Sequence, residues 1–167
     1  MLVIFSGLPG TGKTTLARAL ARQLGAVYLR IDTIEHAIAS EADRSIGETG
    51  YRVAYALAED NLCLGRTVVA DSVNPLRITR DAWRNAAKRA GVASVDIVVI
   101  CSDQAEHRRR VETRETDFRD VTWQDVLDRE FESWDLDHIA IDTAGQSVER
   151  SVAAMQEALR PHRQAAV

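Results

Sequence analysis

Near the N-terminus, Gly7-Leu8-Pro9-Gly10-Thr11-Gly12-Lys13-Thr14-Thr15 has the residue types and spacing to hold a polyphosphate, fitting G-x-x-x-x-G-K-[ST]. Its glycines let the backbone turn so that successive N–H groups point into one concavity. A helix beginning near Lys13 adds its positive end at the same place. Lys13 supplies a mobile cation to the β- and γ-phosphates, and Thr14 a hydroxyl to Mg²⁺, which takes oxygen ligands. Gly7, Pro9, Gly10, Thr11, Gly12, Lys13, Thr14 and Thr15 are therefore the candidate nucleotide-binding residues, with ATP and Mg²⁺ as the implied ligands. The bland alternative is a glycine-rich turn with an incidental lysine. The strand pattern before the motif and the amphipathic helix pattern after it argue against that.

A phosphate loop does not say whether the phosphoryl group goes to water or to a substrate, and two aspartates bear on this. Asp71 ends an apolar run, Thr67-Val-Val-Ala-Asp71, where a carboxylate can hold Mg²⁺ through its water shell. It could equally cap a helix or a turn. Asp32 follows Tyr28-Leu-Arg-Ile, and a carboxylate there could accept a hydroxyl proton from a phosphoryl acceptor. Asp32 with Glu35 three residues on is also a helix N-terminus signature. An arginine-rich stretch runs from His107 to Arg119. His107, Arg110 and Arg114 recur at i, i+3, i+7, so one continuous helix puts them on one face. Guanidinium groups there could stabilise the charge of a transferring phosphoryl as part of a closing lid. Interleaved Glu106, Glu112 and Glu115 also fit a plain solvated helix. The loop Asp142-Thr143-Ala144-Gly145 either packs on the adenine ring or is an ordinary helix entry. The segment Arg44 to Arg52, with Tyr51 and Tyr55, either faces an acceptor or is a solvated loop and helix.

Positioning these residues takes alternating strands and helices. Strands are expected at Leu2–Ser6, Val27–Ile31, Thr67–Asp71, Val95–Cys101 and Ile139–Asp142. Helices are expected at Lys13–Leu24, Asp32–Ser40, Gly50–Leu64, from Pro75 to Gly91, and at Gln104–Glu115. A further helix starts at the capping box Thr122-Trp-Gln-Asp125 with Trp123, Leu127 and Phe131 on one stripe. Ser147 caps a last helix with Val148, Val152, Met155 and Leu159 inward, and Glu41–Thr49 is a polar loop. This alternation implies an α/β fold with a mostly parallel sheet and ligands at the carboxyl ends of the strands.

Composition narrows the field. The chain has 167 residues, a length typical of one domain, with 46% hydrophobic and 28% charged residues. Its net charge of −4 and 5% aromatics suit neither a phosphate-tracking channel nor a stacking platform for nucleic acid. No apolar run approaches a membrane span. The opening Met-Leu-Val-Ile-Phe-Ser-Gly has no positive n-region, so no signal peptide is expected and a cytoplasmic setting is. Cys63 and Cys101 have no metal-ligand spacing and read as reduced, buried thiols.

With these residues in order, the chain resembles the P-loop small-molecule kinases of nucleoside-monophosphate-kinase-like fold, often called AAA-type ATP-binding proteins. That group includes chloramphenicol phosphotransferase, gluconate kinase, zeta-type toxins and phage polynucleotide kinase. The resemblance rests on Gly7–Thr15, Asp32, Asp71, the Arg110/Arg114 pair and the loop at Asp142–Gly145. It implies a three-layer P-loop fold over residues 1–167, with strand order 2-3-1-4-5 and a helical lid over about 104–121. It also implies Asp32 as acceptor base; Lys13, Arg110 and Arg114 on the phosphates; Thr14 and Asp71 on the metal; and Thr143 and Gly145 at the nucleotide. The activity implied is transfer of the γ-phosphoryl of Mg·ATP to a hydroxyl of a small molecule. Polynucleotide kinases and zeta-type toxins tend to carry an arginine shortly after the aspartate, where Thr33, Ile34 and Glu35 stand here. That departure points away from a polynucleotide or a nucleotide-sugar acceptor. An ATP-binding or hydrolysing regulatory module is the third reading, and it would turn over without any acceptor. Monomer and homodimer are both compatible with the sequence.

Overall fold

Leu2–Ser6 (β1), Val27–Arg30 (β2), Val68–Asp71 (β3), Ser94–Ile100 (β4) and Ile139–Asp142 (β5) pair into one sheet. The order is β2-β3-β1-β4-β5, with every neighbouring pair parallel. This computed structural model describes residues 1–41, 48–114, 121–134 and 136–164. Its helices are Lys13–Leu24 (α1), Ile31–Glu41 (α2), Thr49–Cys63 (α3), Arg77–Arg89 (α4), Gln104–Thr113 (α5), Trp123–Leu127 (α6) and Val148–Gln164 (α7). Central β1 is buried along its whole length because helices cover both sheet faces.

Alternation along the strands sorts side chains between two cores. On one face Val3, Phe5, Val69 and Val99 meet Leu16 and Leu20 of α1 and Met155 and Leu159 of α7. On the other, Leu2, Ile4, Val68 and Ala70 meet Ala54 and Leu62 of α3 and Trp83 and Ala87 of α4. The three-layer arrangement and strand order are those the sequence and its resemblance imply. Parallel strands put the residues after β1, β2 and β3 along one edge. Among the described residues, no helix is long and apolar enough to cross a membrane.

Several boundaries differ from expectation, each for a local reason. Ile31 begins α2 rather than ending β2. Helix α4 starts at Arg77, not Pro75, because Asn74 is left-handed (φ 47) and Leu76 is extended. Helix α6 stops at Leu127, which leaves Phe131 off its stripe and turns Val126 inward instead. Val148 is exposed on the first turn of α7. Cys63, the last residue of α3, is exposed, and only Cys101 is buried. Of the expected loop Glu41–Thr49, residues 42–47, including Arg44, lie outside the described residues.

Candidate active site

The turn after β1 is built around three left-handed glycines, Gly7, Gly10 and Gly12. Thr11 closes it by donating from its hydroxyl to the Leu8 carbonyl at 2.9 Å. Gly12 is the N-cap of α1; no side chain caps the helix, and its first turn holds no acidic residue. The helix entrance therefore keeps its N–H groups and positive end for a ligand. Lys13, the first residue of α1, is 8% exposed, and among the described residues no carboxylate pairs with it. Thr14 is half-buried beside it and Thr15 is exposed.

Helix α5 is docked on this loop. His107 is buried, donates from Nε2 to the Pro9 carbonyl at 2.8 Å and meets Trp123 edge-on. A Cβ on Gly10 would lie 2.5 Å from Val111 Cγ2, at φ +84. Gly10→Ala is therefore expected to prise α5 off the loop and cost about 2–4 kcal/mol, from overpacking together with left-handed strain. Thermal unfolding, with ATP affinity as a second readout, checks it.

Arg110 donates to the Thr143 hydroxyl at 2.8 Å and to its carbonyl at 2.9 Å, and pairs with Glu106. The Thr143 hydroxyl in turn donates to the Thr11 carbonyl at 2.8 Å. The Gly145 N–H and then Arg110 hold the Glu106 carboxyl below its usual range. Arg110, Thr143, Gly12 and Thr15 with Gln146 and Ser151 line a cavity of about 280 Å³ beside the loop. Of the residues expected at the nucleotide, Arg110 and Thr143 line this cavity, while the Gly145 N–H donates to Glu106 at 2.8 Å. Sequence reasoning did not foresee that α5 ends at Thr113, so that Arg114 leaves the helix in extended conformation and shares no face with Arg110. His107 faces the protein interior. Residues 115–120 of the expected lid lie outside the described residues.

Asp71 is 1% exposed and sits opposite Phe5 in register, hence on the α1 side of the sheet. Its Oδ2 accepts from the Tyr28 hydroxyl at 2.7 Å. Its Oδ1 is buried with no partner among the described residues. A bare carboxylate oxygen together with the Thr14 hydroxyl is a hard-oxygen donor set that fits Mg²⁺. When bound, the ion supplies neutralisation of charge on the nucleotide phosphates. Asp32 lies in the first turn of α2, and its carboxylate pairs with Arg30 at 2.9 Å rather than with a helix N–H.

A separate cavity of about 410 Å³ has Asp32 in its lining. Ile31, Val73, Pro75, Leu76, Ile78 and Ala82 make its apolar wall, with Tyr51 and Tyr55; Asp32, Glu35, Glu48, Arg52 and Arg129 bring charge. Burial, and then the Asp32 carboxylate, hold the Glu35 carboxyl above its usual range; Arg129 opposes the shift. Burial pushes the Tyr51 phenol up to about 12. Gly50 lets α3 approach Glu35: a Cβ there would lie 2.3 Å from Glu35 Cγ.

Sequence reasoning missed Arg129, which the strap after α6 carries to this cavity. The strap is held by Arg80, 1% exposed, whose guanidinium stacks 4.4 Å from the Trp134 centroid and donates to the Glu132 and Ser133 carbonyls. Arg80→Met should orphan both carbonyls and lower stability by about 2–3 kcal/mol, or roughly 4–12 °C in Tm. Differential scanning calorimetry measures this. Asn74, wholly buried, donates to the Phe5 carbonyl and Ser6 hydroxyl and accepts from the Trp83 indole at 3.1 Å. It thereby joins the root of the phosphate loop to α4. No periodicity marks either contact, since both join residues far apart in sequence.

Comparisons with known proteins bear on this geometry. Curated protein sequences contain no match to the chain. Among solved structures, Mycobacterium tuberculosis APS kinase CysC, in complex with AMPPNP and APS, is similar with TM-score 0.70 and 18% identity, over 95% of this chain and 96% of that one. Chaetomium thermophilum Kti12 in complex with ADP-AlF3 gives 0.69 and 20%, over 94% and 98%. A gluconokinase from Sinorhizobium meliloti 1021 gives 0.65 and 17%, over 97% and 95%. At such identities the likeness is one of fold. A family model described as an AAA domain, AAA_33, matches residues 2–132, a span that takes in the phosphate loop, Asp32, Asp71 and Arg110. The chain belongs to this AAA domain family.

Proposed function

We propose that the chain transfers the γ-phosphoryl of Mg·ATP to a hydroxyl of a small molecule. The observation that carries this reading is the pair of cavities on one sheet edge. One lies beside the uncapped helix entrance and Lys13, which has no carboxylate partner among the described residues; the other is separate and has Asp32 in its lining. A hydrolase needs only the first. In this reading Gly7–Thr15 cradle the phosphates and Lys13 draws charge off them. Arg110, Thr143 and Gly145 border the base, and Thr14 and Asp71 hold Mg²⁺. Asp32 accepts the acceptor proton while positioning and charge stabilisation lower the barrier. Residues 1–167 form one domain, with 104–121 as the lid, which includes Arg110 and Arg114. Similar folds in an APS kinase and a gluconokinase support the reaction class.

The acceptor cavity also narrows the substrate. Its lining holds three carboxylates and two arginines, and the rest is largely aliphatic and aromatic. That suits a neutral or amine-bearing alcohol with an apolar body better than a phosphate- or sulfate-bearing one, and it gives a nucleic-acid strand no basic track. The test is ADP formation from Mg·ATP with a panel of hydroxyl-bearing metabolites and antibiotics. Acceptor-dependent ADP release, with phosphate recovered on the alcohol, is expected. Equal turnover in water alone would instead mark a hydrolysing module.

A further inference from the structure

Asp71, the last residue of β3, and Asp32, in the first turn of α2, share one cation. Arg30 Nη2 lies 2.9 Å from Asp32 Oδ2, and its Nε lies 3.9 Å from Asp71 Oδ2. Tyr28 donates to that same Asp71 oxygen at 2.7 Å, and the Arg18 guanidinium of α1 stands 6.0 Å from the Tyr28 ring centroid. Tyr28 and Arg30 are two apart on β2 and so share a sheet face, and Arg30 stands opposite Asp71 in register. A chain of contacts thus runs from α1 through Tyr28, Asp71 and Arg30 to Asp32 on α2.

We propose that Tyr28 and Arg30 are positioning residues. They hold Asp71 through Oδ2 so that its bare Oδ1 is presented to the metal of bound Mg·nucleotide, and Arg30 ties Asp32 into the same frame. The proposal rests on the phosphotransferase reading only in requiring a metal–nucleotide complex at the loop. An aspartate carboxylate turns readily about its last torsion. A donor fixed on one oxygen removes that freedom and decides which oxygen faces the cleft. A buried carboxylate serving packing alone would have both oxygens paired; here Oδ1 is buried and bare among the described residues. The bridge also needs a fork: a guanidinium can reach two carboxylates at once, which the compact ammonium of lysine does poorly.

The test uses Mn²⁺ as a paramagnetic probe of the metal site. The full-length chain with ATP is titrated with Mn²⁺ while free Mn²⁺ is followed by electron paramagnetic resonance. In the wild type the protein–ATP complex should hold Mn²⁺ more tightly than ATP alone does. Tyr28→Phe keeps the ring and removes only the hydroxyl; Arg30→Gln removes the fork. Each should weaken Mn²⁺ binding by about tenfold, the usual effect of losing an outer-shell partner, with metal-free ATP affinity in EDTA unchanged. Arg30→Lys should recover part of the loss. A folded Tyr28→Phe with wild-type Mn²⁺ affinity overturns the proposal. So does a parallel loss of metal-free ATP affinity, which would mark a merely structural role. Wild-type protein that adds nothing to the Mn²⁺ affinity of ATP refutes the metal–nucleotide reading itself, a separable outcome.

Discussion

Lys13→Ala is expected to remove ATP binding from the measurable range while leaving the chain folded. Lys13 is 8% exposed and, among the described residues, faces no carboxylate. Its counter-charge therefore arrives with the ligand. Truncating one partner of such a close charge pair costs about 2–5 kcal/mol, or roughly 30- to 4,000-fold in Kd. Thermal stability of the free chain should hold steady or rise, because a partly buried charge without a partner is a burden in the absence of ligand. Calorimetric titration with Mg·ATP and a thermal melt measure the two effects together. Unaltered ATP affinity in the variant would sink the nucleotide reading.

Asp32→Asn is expected to spare ATP affinity and cut transfer by a factor on the order of 10² or more, the usual worth of a general base. Asparagine keeps the shape and can still accept from Arg30, the partner Asp32 holds at 2.9 Å. It cannot take a proton from an alcohol. The substitution also separates the two roles left open by the sequence, since asparagine serves a helix N-terminus about as well as aspartate does. Loss of transfer with intact folding and ATP affinity assigns the base; full transfer removes that assignment and leaves Asp32 only its pairing with Arg30. The readout is acceptor-dependent ADP formation with the alcohol that the panel identifies.

What could be read in advance followed physical range. The loop at Gly7–Thr15 is contiguous, so its glycines and its strand–turn–helix setting were visible together. The five strands were legible because β-branched runs such as Val95 to Ile100 need both faces covered. Their order came from the resemblance, as periodicity carries no neighbour information. Arg114 was misplaced because helical spacing says nothing of where a helix stops. The Tyr28–Asp71 bond spans 43 residues. Arg129 reaches its cavity only because Arg80 and Trp134 pin the strap, a contact between side chains far apart in sequence.

Asn74 has a consequence for substrate choice. Through one amide it grips the end of β1, and through the Trp83 indole it grips α4, so the phosphate cradle and the apolar ledge are cast in a single piece. Under the phosphotransferase reading proposed above, such a cleft would act as a ruler: an alcohol seated on the ledge would be sorted by how far its oxygen projects toward the triphosphate.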